Sequence, residues 1–214
     1  MTAFAKSVQL LVKRSIDLAG AAILLALLSP LMVAIGAVVK ATSRGEIIFR
    51  QKRAGRGGRP FTIYKFRTMV RDAPQSHLGS YCYRDDPRIT PVGRILRRTS
   101  LDELPQLVNV LKGDMSFVGP RPDLPHHVER YTAAQRRRLC VRPGLTGWAQ
   151  VNGRNGISWP ERIELDLAYI DGWSLWRDAV VLARTVAVVL TRRGTELPAS
   201  VGERTWPKSG GKTI

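Results

Sequence analysis

SIDLAGAAILLALLSPLMVAIGAVV, residues 15–39, decides how the rest of the chain is read. From Leu18 to Val39 it carries no charge. As a helix rising ~1.5 Å per residue that stretch measures roughly 33 Å, about the thickness of a bilayer's hydrocarbon core. A single transmembrane span is the first reading. Ser29-Pro30 sits near its middle, however. Proline removes a backbone donor, clashes with the preceding turn and favours a kink, and a neighbouring serine can satisfy the freed carbonyl and hold the bend. The flanks bear on the same question. Lys6, Lys13 and Arg14 precede the segment, while Lys40, Arg44 and a basic domain follow it. A straight span would carry one cationic flank out of the cytoplasm, against the positive-inside tendency; a helix that enters, bends and returns keeps both on one side. On the residues alone, a kinked span and a re-entrant helix stand level. A cleaved signal peptide fits less well, because the apolar run is too long and Lys40 closes it. Every version places the chain at a membrane.

The 214 residues suffice for one domain with an appendage, and they carry 34 Lys+Arg against 17 Asp+Glu, a formal charge of +17. Such an excess calls for an anionic partner: nucleic acid, anionic headgroups or phosphorylated small molecules. A membrane-tethered nucleic-acid binder is the rival class that the charge allows. Against it, the sequence has no helix-turn-helix or RNA-binding signature, and its basic residues are spread among Gly/Pro loops with no interleaved aromatics for stacking bases. We therefore expect no nucleic acid as partner. Cys82 and Cys140 are too few and too far apart for a disulfide framework, and His77, His126 and His127 do not fall at zinc-ligand spacing with them.

After the membrane segment, Ile47–Gln51 and Phe61–Phe66 lean to strand around a Gly-rich basic loop, a hairpin signal. Residues 70–92 read as loop, a helix follows Pro105, and 113–125 and 141–159 are irregular by their glycines and prolines. From Ser174, SLWRDAVVLARTVAVVLTRR has a wide apolar face and an arginine-bearing polar stripe. That pattern suits either a helix lying in the headgroup zone or an ordinary core helix. The expected fold class is α+β, mainly helical. Residues 1–40 form the membrane helix with its basic leader, 41–193 a compact catalytic domain with interfacial helices, and 194–214 a tail whose composition predicts disorder.

SLDELPQL, residues 100–107, sets Asp102 beside Glu103 in this basic surrounding. Capping accounts for the pair in one way: Ser100 with Glu103 fits a capping box, or Asp102 caps a helix with Pro105 in its first turn. Chemistry accounts for it in another. An ionised carboxylate can attack as a nucleophile or hold a hard cation such as Mg²⁺. Attack on phosphate by an anion must be offset by metal and arginine; Arg94, Arg97 and Arg98 precede the pair and Arg121 follows its helix. Adjacent helical residues point about 100° apart, so the two acids would divide the work.

SLDELPQLVNVLKGDMSFVGPRP, preceded by FTIYKFRTM and followed by RPGLTGWAQVNGRN, resembles the bacterial sugar transferase family, the monotopic phosphoglycosyl transferases. The resemblance runs from about Lys13 to Arg193 and includes the Ser-Pro break at Ser29 and Pro30, and it implies the small, catalytic-core type. By resemblance, the chain transfers a sugar-1-phosphate from a UDP-sugar to polyprenol (undecaprenyl) phosphate, giving polyprenol-diphosphate-sugar and UMP, the first membrane step of bacterial glycoconjugate synthesis. It implies Asp102 as the nucleophile that forms a covalent phosphosugar intermediate and Glu103 as a ligand of Mg²⁺. The N-terminal segment becomes a re-entrant helix, monotopic in the cytoplasmic (inner) membrane, with the catalytic domain on the cytoplasmic face among phospholipid headgroups. Arg97 matches a family arginine or lysine suited to phosphate. Lys65, Arg67 and Arg121 are phosphate contacts or part of a solvated basic face. Arg142, Gln150, Arg154 and Asn155 line the nucleotide-sugar pocket or build a structural Gly-rich loop. Asp166 matches a family acidic position or is a helix-surface carboxylate. The sugar, the pathway and the oligomeric state, a homodimer included, stay open; the product would pass to downstream glycosyltransferases.

Overall fold

The computed structural model describes residues 3–71, 86–153 and 156–191. The 194–214 tail, Arg154, Asn155, His77, Cys82 and most of the expected 70–92 loop lie outside them.

The chain is mainly helical with two small sheets. Helix α1 (Ala3–Thr42) is long and apolar enough to cross a membrane. It runs through Pro30 as one helix, where a break was expected. The proline leaves the carbonyl of Ala26 without its helical donor, and the Ser29 hydroxyl donates to that oxygen at 2.9 Å. The break is thus confined to one missing backbone bond, repaired by the residue beside it.

One stripe of α1 faces the rest of the protein: Asp17, Ala21, Leu25, Leu28, Met32, Ile35 and Val39, spaced by three or four residues, are buried or half-buried. Other sides expose Leu11, Ile23, Leu27 and Val33. Both ends of the helix touch the same domain. Near the start, Lys13 Nζ donates to the Val118 carbonyl at 3.1 Å, Arg14 to those of Val110 and Leu111, and the Asp17 carboxylate accepts from Phe117 N at 3.0 Å. Near the end, Ile35 and Val39 pack with Phe66 and Leu96.

Strands β1 (Ile48–Ala54) and β2 (Pro60–Phe66) form the expected antiparallel hairpin, registered Ile48 on Phe66 through Ala54 on Pro60. Gly57 and Gly58 turn it with φ of 66° and 76°, a region open to glycine. Helix α2 (Pro91–Thr99) starts on a Thr90 cap, with Pro91 in its first turn. Helix α3 (Gln106–Lys112) follows Pro105, as read. Its fully buried Asn109 donates Nδ2 to Thr62 O at 2.7 Å and accepts from Tyr64 N at 3.2 Å, which fixes α3 against β2. Ala21, Phe61, Ile63, Val110 and Met115 fill the space between α1, β2 and α3.

A second sheet was not expected. Strands β3 (Ser116–Val118) and β4 (Gly144–Thr146) pair in parallel. A Cβ on Gly144 would lie 2.1 Å from Gly119 N, so only glycine permits this approach. Short helices α4 (Pro125–Val128), α5 (Ala133–Arg136) and α6 (Trp148–Asn152) thread the loops, and α7 (Trp159–Asp171) opens on a Ser158/Glu161 capping box.

Helix α8 (Leu175–Thr191) inverts the usual arrangement. Part of its polar stripe points inward: Asp178 is buried on Lys13 and Tyr169 and Thr185 meets Thr146, while half-buried Arg177 and exposed Arg184 flank the Trp148 ring at 4.9 and 5.1 Å. Trp176, Val186 and Leu190 are each at least 60% exposed. The arginines expected at the headgroups stack on Trp148, Val181 joins Val118 and Tyr169 in the core, and the rest of the apolar face looks outward.

Candidate active site

Helix α2 ends at Ser100, which adopts a left-handed conformation (φ 58°, ψ 15°), unique among non-glycine residues described. Such a residue costs on the order of 1–2 kcal/mol and persists where its surroundings demand it. Here it reverses the chain into a 3₁₀ turn, Leu101–Glu103, wedged between α2 and α3. The capping account of the acidic pair fails on this geometry. Ser100 makes no side-chain cap bond at this turn, α3 begins on Pro105 without one, and the Glu103 carboxylate is spent elsewhere.

Glu103 Oε1 accepts from Lys65 Nζ at 2.7 Å and from Arg121 NH2 at 2.6 Å, and Oε2 accepts from Arg121 NH1 at 3.3 Å. Burial pushes this carboxyl up, but Arg121 and Lys65 outweigh it and hold the group well below the usual carboxylate range. Asp102 is 7% exposed. Burial raises its pKa, Lys65 pulls it back, and the Glu103 charge pushes it up again, to about 6. Two adjacent acids are thus driven apart, one fixed as an anion and one titrating nearer neutrality.

The other expected site residues divide by position. Lys65 and Arg121 stand on Glu103, and Arg97, in the last turn of α2, is near enough for its charge to lower Asp102. Arg67 instead donates to Ser43 O at 2.8 Å and Ser43 Oγ at 2.7 Å, binding β2 to the exit of α1. Arg142 Nε donates to Gly113 O at 3.0 Å, at the far end of α3 from the acids, where burial and then Arg14 and Arg56 lower its pKa. Gln150 lies half-buried on α6, beside Gly147. Asp166 is 1% exposed, which rules out a helix-surface carboxylate; it pairs with Arg138 NH2 at 2.6 Å.

Several contributors carried no signal in the sequence. Arg138 sits in a run with Arg136 and Arg137, which are exposed while it is buried. Arg53 reaches Pro122 O, and burial, then Arg121, lower its pKa to about 10. Asp123 accepts from Leu124 N, His127 Nδ1 and Tyr131 OH, all within 2.9 Å. Only their partners in space distinguish them.

For a divalent cation, no cluster of three or more His, Cys, Asp or Glu gathers among the described residues. Mg²⁺ needs no such cage, since it is often held by one or two carboxylates plus substrate phosphates and water. Glu103 Oε2, with its one longer bond, fits that donor set.

A sequence model of the family described as bacterial sugar transferase matches residues 8–192. The chain belongs to the bacterial sugar transferase family. Over 203 residues it is 45% identical to an uncharacterized sugar transferase, EpsL, of Bacillus subtilis, covering 94% of this chain and 98% of the relative. Over 189 residues it is 48% identical to the UDP-glucose:undecaprenyl-phosphate glucose-1-phosphate transferase of Caulobacter vibrioides, covering 84% of this chain and 70% of the relative. It is 41% identical over 196 residues to the undecaprenyl-phosphate galactose phosphotransferase of Salmonella typhimurium, covering 85% of this chain and 41% of that longer relative. The sugar transferase is therefore an enzyme whose acidic pair lies inside the family region.

Proposed function

We propose that this sugar transferase moves a sugar-1-phosphate from a UDP-sugar to undecaprenyl phosphate by way of Asp102. The carrying observation is a buried carboxylate, Asp102, beside a second acid held by Lys65 and Arg121; burial raises the Asp102 pKa to about 6. About nine-tenths of Asp102 is ionised at pH 7, so an attacking anion is available. In the first step its oxygen bonds to the phosphorus that bears the sugar; the bond to the UMP oxygen breaks and UMP leaves with the electron pair. In the second step an oxygen of undecaprenyl phosphate bonds to the same phosphorus and the Asp102 carboxylate departs. Dividing the transfer lets one site take two anionic substrates in turn. Lys65 and Arg121, with Arg97 near, offset the phosphate charge. Glu103 would hold Mg²⁺, which supplies further charge neutralisation on the diphosphate when bound.

Contacts of α1 support the membrane arrangement proposed with it. Arg14 and Val39 lie 25 residues apart, roughly 38 Å along a straight helix, yet both pack on one domain. A helix crossing the bilayer would separate them by the membrane. The contacts favour a monotopic helix bent or seated at Ser29-Pro30, its apolar face and that of α8 in lipid, and the domain at the cytoplasmic face of the inner membrane among phospholipids. There it meets a soluble donor and a lipid acceptor, and hands its product to downstream glycosyltransferases.

The test is UMP release from UDP-glucose and UDP-galactose by protein without lipid acceptor, with mass spectrometry of the trapped protein. A phosphosugar on Asp102 and ping-pong kinetics are expected. Kinetics that need both substrates bound together, with no adduct, overturn the reading.

A further inference from the structure

We propose that Arg138 is a positioning residue of the phosphate site, acting through the backbone of Arg121 to set how Arg121 meets Glu103. Its consequence for catalysis rests on the transfer reaction proposed above.

Arg121 stands between two prolines in a segment with no regular structure, Pro120-Arg121-Pro122. Prolines lack N–H groups, so this stretch can be held chiefly through its carbonyls. Four successive carbonyls are each captured. Pro120 O accepts from Gly144 N at 2.9 Å, Arg121 O from Arg138 NH2 at 3.3 Å, Pro122 O from Arg53 NH1 at 3.5 Å, and Asp123 O from Ala54 N at 2.8 Å. Only the Arg121 carbonyl is held by a side chain that is itself 4% exposed.

Arg138 is in turn fixed through both of its terminal nitrogens and through its flat faces. The NH2 group that meets Arg121 O also pairs with Asp166 at 2.6 Å. NH1 donates to the Tyr131 hydroxyl, whose own proton goes to Asp123 Oδ2 at 2.9 Å. The guanidinium lies over the Trp159 and Tyr131 rings at 5.3 and 5.6 Å. A planar fork with five donors can serve an acid, a hydroxyl and a carbonyl together, which a lysine ammonium on a flexible stem cannot do in one plane. A buried ion pair is a weak source of stability but a good source of unique geometry. Here that geometry is passed to the residue that grips Glu103 by two bonds.

Arg138→Lys retains a charge for Asp166 and gives up the reach to Arg121 O. We expect kcat to fall roughly ten- to hundredfold, as a misplacement near 1 Å can do, with KM for the UDP-sugar little changed. In an Arg121→Met background the same substitution should cost nothing further. A merely structural Arg138 would give losses that multiply. Independently of turnover, the Nη–H resonances of Arg121, assigned by their loss in Arg121→Lys, should exchange with solvent faster in Arg138→Lys. Tyr131→Phe should do the same to a smaller degree. Unchanged Arg121 exchange in both variants, or multiplying losses, overturns the proposal. A wild-type protein that releases no UMP from any UDP-sugar counts against the transfer reaction, while the exchange measurement still decides Arg138.

Discussion

Arg121 grips Glu103 by two hydrogen bonds, NH2 to Oε1 at 2.6 Å and NH1 to Oε2 at 3.3 Å, while Lys65 reaches the same Oε1 at 2.7 Å. Two cations therefore converge on one carboxylate oxygen. Glu103→Gln leaves them facing each other across a neutral amide. It should lower kcat at least a hundredfold and destabilise the fold by about 2–3 kcal/mol, below the ~3–5 kcal/mol of a fully buried pair because the Arg121 side chain is about a third exposed. Chemical denaturation in detergent reads the second figure, and an unchanged midpoint would remove the ion triad from the fold's support.

Asp102→Asn should abolish UMP release, by on the order of a thousandfold or more, some 4 kcal/mol of barrier. The same substitution should stabilise the protein at pH 7 by about 1–2 kcal/mol, since it removes a charge that burial opposes. A capping or purely structural aspartate would show the reverse, near-normal turnover with lost stability.

The two acids titrate in opposite senses. Asp102 is raised from 3.8 to about 6, so the folded state binds its proton more tightly than the unfolded chain does. Its contribution is favourable below about pH 4 and is lost as pH rises to 6, by about 3 kcal/mol in all. Glu103 is lowered, so its contribution is present above the ordinary glutamate pKa and is lost as pH falls through its folded value. Asp102→Asn should therefore flatten the stability profile between pH 4 and 6, and Glu103→Gln should flatten it on the more acidic side. In turnover, kcat/KM of the wild type should fall tenfold per unit below about pH 6. An acid limb near pH 4 would assign the nucleophile elsewhere.

The outward face of α8 makes a separate claim. Trp176, Val186 and Leu190 are exposed on one helix whose arginines lie over the Trp148 ring. Replacing all three by serine should leave UMP release from a soluble donor intact while weakening the partition of the protein into liposomes. At ~25 cal/mol per Å² of apolar surface, three such side chains contribute several kcal/mol. Unaltered partition would take α8 out of the membrane interface.

These features were unequally legible. The membrane helix, the hairpin and α3 follow from runs of one character bounded by Gly, Pro or charge, signals that need no tertiary knowledge. The sheet of β3 and β4 joins three-residue strands 28 positions apart, too short for a periodicity to form. Helix α2 lay hidden in a polar stretch although Thr90-Pro91 marks its start. Asp102, Glu103, Lys65 and Arg121 stood out by motif. Arg67 and Arg142 shared those motifs, yet the fold uses them on the carbonyls of Ser43 and Gly113. An arginine in a basic chain is a donor in search of an acceptor, and only packing says whether a phosphate or a backbone oxygen answers. Arg138 shows the converse, a position without any motif that the fold places behind the site.

Ser29 and Pro30 give the last prediction. The proline withholds a donor from Ala26 O and the serine hydroxyl replaces it at 2.9 Å, so the pair tolerates a bend at little cost in unsatisfied backbone. Pro30→Ala restores the backbone donor and should straighten α1, pulling its two ends off the one domain they share. Single cysteines at Ser7 and Ala41, in a background lacking Cys82 and Cys140, report the outcome. In the parent both should react with a membrane-impermeant thiol reagent only from the cytoplasmic side. In Pro30→Ala a fraction of Ser7→Cys should become accessible from the opposite side, with a parallel loss of turnover. Labelling of the parent from opposite sides would make α1 a crossing helix and overturn the monotopic arrangement.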